Sequence, residues 1–195
     1  MRILRAAEYR SMPWKNGGGV TTEIAVSPAG AALDDFDWRV SMARVESDGP
    51  FSGFDGVDRT LAVLEGEGII LDVAGRPLAT VTKASAPLSF PADVPTQAVL
   101  IAGPITDLNV MTRRGRMVHA VERLVVSAPT DIHSAADVTL ILCFDGEITV
   151  AGAAPVRIGP RDTFLLGPDA LKWRLEPAGT ATLFVIRIDR VAAND

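Results

Sequence analysis

The chain has 195 residues, of which 48% are hydrophobic and 22% charged, a balance that excludes a disordered chain and suits one large domain or two small ones. Its formal net charge of −5 excludes bulk attraction to nucleic acid or an anionic membrane. The longest apolar runs are far too short to span a bilayer. Charged residues also interrupt the stretch where a signal peptide would need an apolar core, so we expect a cytoplasmic protein without nucleic-acid or membrane partners.

Short apolar or alternating segments that stop at Gly, Pro, Asp or Asn recur along the chain, which is typical of β-strands. In chain order, the predicted strands are residues 20–26, 38–43, 59–64, 68–73, 97–101, 107–112, 138–144, 147–150, 163–166, 172–175 and 181–188. Two proline-free segments, residues 3–10 and 116–126, are predicted to hold short helical turns. So many short strands with frequent turns predict an all-β sandwich or barrel.

The sequence contains an internal repeat. Residues 60–71 and 139–150 each consist of an apolar strand, an acidic-glycine turn with Gly66 or Gly146, and a second strand. Two copies of one β unit predict a duplicated jelly roll, with repeats at residues 1–117 and 118–195 packed as one compact unit. The alternative is that two unrelated hairpins share a common type of turn.

The residues that usually support metal or nucleophilic chemistry are scarce. The chain has two histidines, His119 and His133, whereas a histidine-rich metal site needs several imidazoles converging on one ion. We therefore expect no metal and no cofactor, although a site built from carboxylates alone stays open. The single cysteine, Cys143, lies in an apolar run and is expected to be a buried core residue. There is no Gly-x-Ser-x-Gly motif for a nucleophilic serine.

Three consecutive glycines, residues 17–19, precede the predicted strand at 20–26. A phosphate-binding P-loop would place its lysine after the glycines and lead into a helix. Here Lys15 precedes the glycines and a strand follows, so the phosphate interpretation fails. The glycines instead allow a sharp turn into the strand, which would project Glu23 from one face.

Several motifs occur in order along the first half of the chain: PWKNGGGVTTEI at residues 13–24, WRVSMA at 38–43, DGPFS at 48–52, DRTL at 58–61, and GP, DLNVM and RRG within 103–115. Together they resemble the signature of the HutD/Ves family. The chain departs from the family pattern in the Phe-x-Gly segment, where it has Asp55 and the family favours a proline. The resemblance implies a bicupin, that is, two RmlC-like cupin jelly-roll β-barrels in one compact chain, without the usual metal ligands. It also implies a regulatory protein of histidine utilisation that senses a small carboxylate such as N-formylglutamate or urocanate.

A small carboxylate buried in such a barrel needs a cationic partner, and arginine can hold both carboxylate oxygens. The predicted ligand-binding residues, all in the first repeat, are Asn16, Glu23, Arg39, Ser41, Arg59 and Asn109. In this scheme the arginines supply charge, Glu23 buttresses one of them, and Asn16, with Lys15, closes the site from the glycine loop. The alternatives are an ordinary cross-strand ion pair between Arg39 and Glu23 and a role for Asn16 in its turn alone.

Three functions are compatible with this pattern. The first is a non-enzymatic sensor that binds a small carboxylate, and we favour it because no base–nucleophile pair or metal cluster is evident. The second is a metal-independent isomerase, epimerase or hydrolase with Glu23 as general base and Arg39 or Arg59 stabilising an oxyanion. The third is an interaction module whose barrels are filled with side chains. Exposed sheet surface is compatible with a homodimer.

Overall fold

A computed structural model describes residues 2–14, 17–152, 154–168 and 172–192. In this part of the chain, the helical structure consists of one 3-10 turn, Ala6–Glu8, so the all-β prediction is confirmed. The strands are β1 (Arg2–Leu4), β2 (Arg10–Pro13), β3 (Gly19–Ser27), β4 (Trp38–Val45), β5 (Gly49–Pro50), β6 (Val57–Glu65), β7 (Ile69–Val73), β8 (Ala79–Val81), β9 (Leu88–Pro91), β10 (Thr96–Leu100), β11 (Ile105–Arg113), β12 (Met117–Val126), β13 (Thr130–His133), β14 (Val138–Asp145), β15 (Ile148–Val150), β16 (Val156–Ile158), β17 (Thr163–Leu166), β18 (Lys172–Pro177) and β19 (Ala181–Arg190). None of the helices in the described ranges is long and apolar enough to cross a membrane.

The strands group into two units. The N-terminal unit is Arg10–Val118, and the C-terminal unit combines Met1–Tyr9 with His119–Asp195. The predicted repeats ran from 1 to 117 and from 118 to 195, whereas the first nine residues pack within the C-terminal unit. Strand β1 pairs antiparallel with β17 there, and the Arg5 guanidinium lies 2.6 Å from the Asp162 carboxylate.

The N-terminal unit is a sandwich of two antiparallel sheets. One sheet has the order β2-β3-β4-β11-β6-β9 and the other β5-β10-β7-β8. Side chains from both sheets share one apolar core, made by Val45, Leu61, Val63, Phe90 and Ile105 on the larger sheet and Ile69, Leu71, Val73, Val81 and Ala98 on the smaller. A second, smaller cluster is formed by Phe36, Val57, Ala92 and Met111. The apolar residues at alternate strand positions therefore hold the two sheets together.

The C-terminal unit has a similar plan with a more extensive apolar interior. Its sheets have the orders β1-β17-β14-β19-β12 and β13-β18-β15-β16. The core includes Ile141, Phe164, Trp173 and Leu183, which come from four strands. Cys143 lies in this core, and burial, with nearby acidic groups, raises the pKa of its thiol to about 12. The thiol is therefore protonated at neutral pH and unsuited to nucleophilic chemistry.

The internal repeat corresponds to the same local structure in both units. Gly66 follows β6 with φ of 89°, and Gly146 follows β14 with φ of 79°. A Cβ at Gly66 would lie 2.6 Å from the Pro104 carbonyl oxygen, and one at Gly146 would lie 2.5 Å from that of Thr180, so only glycine fits either turn. In each unit the strand after the turn lies in the other sheet. Each turn thus carries the chain from one sheet to the other and does not close a hairpin.

The prediction of a helical turn within residues 116–126 is wrong. These residues form β12, which lies at the edge of its sheet beside β19. Exposed and less exposed positions nearly alternate along the strand, and its several valines favour extended backbone. The other predicted turn, at residues 3–10, is confirmed only for the short 3-10 turn at Ala6–Glu8.

Candidate ligand-binding site

A cavity of about 610 Å³ lies within the N-terminal unit, a volume within the usual range of small-molecule sites. Its polar wall is the inner face of the larger sheet, where alternate residues of a strand point to the same side. That wall is made by Arg39 and Ser41 of β4, Arg59 of β6, and Asp107 and Asn109 of β11. Strand pairing explains why they converge, since Asn109 lies opposite Ser41 on β4, and Met111 lies opposite both Arg39 and Arg59.

Three of these side chains form a hydrogen-bonded chain. Asn109 Oδ1 accepts a hydrogen bond from Arg59 Nε at 2.7 Å and a second from Arg59 Nη2. Asn109 Nδ2 donates to Asp107 Oδ1 at 2.5 Å. The exposed fractions of Arg59, Asn109 and Asp107 are 9%, 3% and 0%. The Asn109 amide is therefore fixed in orientation, with its oxygen towards the arginine and its nitrogen towards the aspartate.

The Arg59 guanidinium is a buried cation held by aromatic rings. Its carbon Cζ lies 4.5 Å from the ring centre of Phe51 and 5.9 Å from that of Phe90, within the range of cation–π attraction. Burial lowers the pKa of Arg59 to about 10; Asp107 opposes this shift and Arg39 adds to it. Arg59 is still charged at neutral pH, and its side-chain hydrogen bonds to the described residues go to the neutral Asn109.

Asp107 is the most buried ionisable group of the site, and sequence analysis missed it. Its Oδ2 atom is buried and has no hydrogen-bond partner among the described residues. Burial raises the pKa of Asp107 to about 6, an effect that the Arg59 charge, the Asn109 hydrogen bond and the Ala43 backbone N–H partly oppose. The sequence feature that could have identified Asp107 is its position two residues before Asn109, which places both side chains on the same face of one strand.

Arg39 is paired differently from Arg59. Its Nε lies 2.8 Å from Glu23 Oε2, and the two side chains are 6% and 21% exposed. Glu23 does not line the cavity itself, so it acts on the site through Arg39. This arrangement combines the predicted buttress with the alternative of a cross-strand ion pair. Because Arg39 has a carboxylate partner, Arg59 is the cation more available to an incoming anion.

Trp14, which packs against the glycine turn, lies at one side of the cavity. Trp14 lines the cavity, and its indole Nε1 donates to Thr21 Oγ1 at 2.8 Å. A Cβ at Gly19 would overlap the carbonyl oxygen of Arg44 and would lie 3.1 Å from the Trp14 ring, so glycine permits this close approach. Lys15 and Asn16 lie outside the described residues, and the role of Asn16 in the site stays a prediction.

The cavity is mainly apolar, with one polar wall that carries charged groups of both signs. Among the described residues, no group of three or more His, Cys, Asp or Glu side chains is placed to hold a metal ion. The wall instead offers two guanidinium groups, a serine hydroxyl, an amide and a carboxylate. The apolar part of the lining includes Phe51, Phe54 and Leu33.

Comparison with known proteins first defines the class. The chain resembles the "Cupin 2 conserved barrel domain protein" from Leptotrichia buccalis, with a TM-score of 0.57 and 12% identity over 95% of this chain and 100% of that chain. This likeness shows that the fold is cupin-like.

The chain belongs to the HutD family, whose model matches residues 6–185. It is 35% identical to an uncharacterized 21.2 kDa protein in the hutC 3′ region of Pseudomonas putida, over 88% of this chain and 90% of that protein. Among solved structures, it is similar to a conserved protein of unknown function from Pseudomonas aeruginosa (TM-score 0.90, 34% identity, 96% and 98% coverage). It is also similar to HutD from Pseudomonas fluorescens (TM-score 0.80, 29% identity, 98% and 99% coverage).

Proposed function

We propose that this protein is a metal-free bicupin that binds a small carboxylate in the cavity of its N-terminal unit and thereby modulates histidine utilisation. The observation that carries the proposal is the buried Arg59 guanidinium in the cavity wall, whose hydrogen-bond partner is the neutral amide of Asn109. The association with histidine utilisation is supported by membership of the HutD family. N-Formylglutamate and urocanate are the first candidates for the ligand.

The physical argument starts from the cost of burying charge. A carboxylate that leaves water loses several kcal/mol of solvation unless it meets a cation and hydrogen-bond donors. Arg59 can offer a guanidinium edge already desolvated and restrained by the Phe51 ring, so little further ordering is needed on binding. The Ser41 hydroxyl adds a second donor from the neighbouring strand.

The alternative of an interaction module with filled barrels fits the N-terminal unit poorly, because it predicts no cavity of ligand size. The cavity of about 610 Å³ argues against it there. The C-terminal unit has an interior of packed apolar side chains. We therefore assign the ligand site to the N-terminal unit.

A second candidate function, a metal-independent enzyme acting on a small acid, is favoured by one observation. Asp107 lies in the cavity wall with its pKa raised to about 6, which is close to the value that suits proton transfer at neutral pH. Glu23 is less suited to the role of base because Arg39 already holds its carboxylate. In this reading Asp107 abstracts a proton, and Arg59 stabilises the negative charge that develops.

Calorimetry of the purified protein tests both functions. N-Formyl-L-glutamate, urocanate, histidine and glutamate are titrated into the wild type and into Arg59→Ala, with Arg76→Ala as the matched control because Arg76 is exposed in the same unit. We expect saturable binding of one acid, weakened at least about 100-fold in Arg59→Ala and unchanged in Arg76→Ala. Equal binding by Arg59→Ala, or no binding by the wild type, would contradict the proposal.

The mixtures are then analysed for chemical change. Ligand recovered intact supports the sensor, and ligand recovered altered supports the enzyme.

A further inference from the structure

The unpartnered oxygen of Asp107 restricts the chemistry of the ligand. Oδ2 of this residue is fully buried in the wall of the cavity and accepts no hydrogen bond within the described chain. A buried acceptor without a donor is destabilising, and more so when it is charged. A binding site can recover this energy when its ligand supplies the missing donor.

The neighbouring side chains of Asn109 and Arg39 already form hydrogen bonds with other groups. The Asn109 amide gives its nitrogen to Asp107 Oδ1 and its oxygen to Arg59, so it cannot turn towards Oδ2 without losing these bonds. Arg39 donates its Nε–H to Glu23. The Ala43 backbone N–H lowers the pKa of the Asp107 carboxyl, yet no described donor forms a hydrogen bond with Oδ2, so a molecule in the cavity can supply the missing donor.

The hydrogen-bonded chain also sets a distance. Two hydrogen bonds and one amide group separate the Arg59 guanidinium from the Asp107 carboxylate, so they lie within about 8 Å of each other. A ligand that contacts both has its anionic group and its donor only a few bonds apart.

We propose that the ligand donates an N–H or O–H group to Asp107 Oδ2 while its carboxylate binds Arg59. The site is then selective for small carboxylic acids with a hydrogen-bond donor close to the carboxylate, such as N-acylamino acids or 2-hydroxy acids. This inference rests on the proposed function, because it assumes that a carboxylate binds at Arg59. An acid of the same shape without the donor leaves Oδ2 unpaired and brings a second negative charge near it.

Matched pairs of ligands test the inference. N-Acetyl-L-glutamate is compared with 2-(2-oxopropyl)glutarate, in which CH2 replaces N–H, and 2-hydroxyglutarate is compared with glutarate. Binding is measured by calorimetry at pH 7.5. We expect the donor-bearing member of at least one pair to bind the wild type about 10- to 100-fold more tightly. The pair that responds distinguishes an N–H donor from an O–H donor.

Asp107→Asn provides the second arm. Asn109 keeps an acceptor in this variant, but the amide nitrogen of the new side chain then occupies the place of Oδ2. A donor thus replaces an acceptor, so the preference should disappear or reverse. Asp72→Asn, which changes an exposed carboxylate in the same unit, should keep the wild-type preference.

The outcomes separate this inference from the proposed function. Equal binding of both members of each pair by the wild type overturns the inference and leaves the carboxylate site standing. An unchanged preference in Asp107→Asn also overturns it. No binding of any of the four acids, with none in the calorimetric series above, overturns the proposed function and the inference together. The wild-type comparison needs no variant, so it holds even if Asp107→Asn folds poorly.

Discussion

The buried Asp107 carboxylate should make the unliganded protein less stable as the pH rises. Its pKa is about 6 in the folded protein, against an ordinary value of 3.8 for an aspartate side chain. Between these values the folded state holds a proton that the unfolded chain has lost, so the free energy of unfolding falls with increasing pH. A difference of roughly 2 pKa units corresponds to about 3 kcal/mol in total, of which about 2 kcal/mol falls between pH 4.5 and pH 8.

Asp107→Asn removes this titration and keeps a side chain of the same shape. The free energy of unfolding of the variant, relative to the wild type, should therefore rise by about 2 kcal/mol from pH 4.5 to pH 8. Urea denaturation of both proteins at several pH values measures this difference, and titrations common to both cancel. Asp72→Asn is the control, and its difference from the wild type should stay nearly constant.

A difference between wild type and Asp107→Asn that does not change with pH would refute the reasoning. It would mean that the Asp107 carboxylate pays no net penalty for burial in the unliganded protein. A difference that falls as the pH rises would mean that attraction to Arg59 outweighs the loss of hydration.

Three further predictions concern the turns and the aromatic contact. Gly19→Ala should lower the free energy of unfolding by more than about 2 kcal/mol because its Cβ overlaps neighbouring backbone. Gly53→Ala should change it by less than about 1 kcal/mol, because a Cβ there makes only an ordinary contact with the Ala92 carbonyl oxygen at 3.8 Å; urea denaturation measures both. Gly146→Ala should be more destabilising than Gly75→Ala by at least about 1 kcal/mol, because both have φ of 79° but only the former meets the backbone, and equal losses would contradict the packing argument. Phe51→Leu should weaken binding of the carboxylate several-fold, because the ring that restrains the Arg59 guanidinium is lost and the arginine must then be ordered on binding; calorimetry would contradict this if the affinity were unchanged.

The two units illustrate how one strand plan can serve two purposes. Both use the glycine turn that carries the chain from one sheet to the other. In the C-terminal unit, alternate positions of β14 carry Ile141 and Cys143, which belong to its apolar core. In the N-terminal unit, the inner face of the larger sheet carries the apolar Leu61 and Val63 on β6, and beside them Arg39 and Asn109 on β4 and β11. The polar residues on one face of the sheet, and not the strand plan, therefore give the N-terminal unit its polar cavity wall.

The sequence alone was sufficient to predict the strands in which apolar residues alternate with polar ones or form a continuous run. The alternation in β3 and β4 and the apolar runs in β6, β11, β14 and β19 reflect burial of one or both faces, which composition records directly. Strands of two or three residues, such as β5, β8 and β16, are too short to show a period. Strand β12 was misread because one edge strand with mixed polarity resembles a short helical turn until its partner strand is known.

The candidate site likewise has residues that the sequence predicted and one that it did not. The residue types and strand faces of Arg39, Ser41, Arg59 and Asn109 were sufficient to propose a carboxylate site, and the structure places all four in one cavity wall. Asp107 was not predicted, because nothing in its local sequence tells that its carboxylate is fully buried and half unpartnered. Burial and hydrogen bonding come from residues far apart in the chain, such as Arg59 on a neighbouring strand. The chain thus encodes which groups are present, whereas only tertiary packing decides how far each is removed from water and which charge it faces.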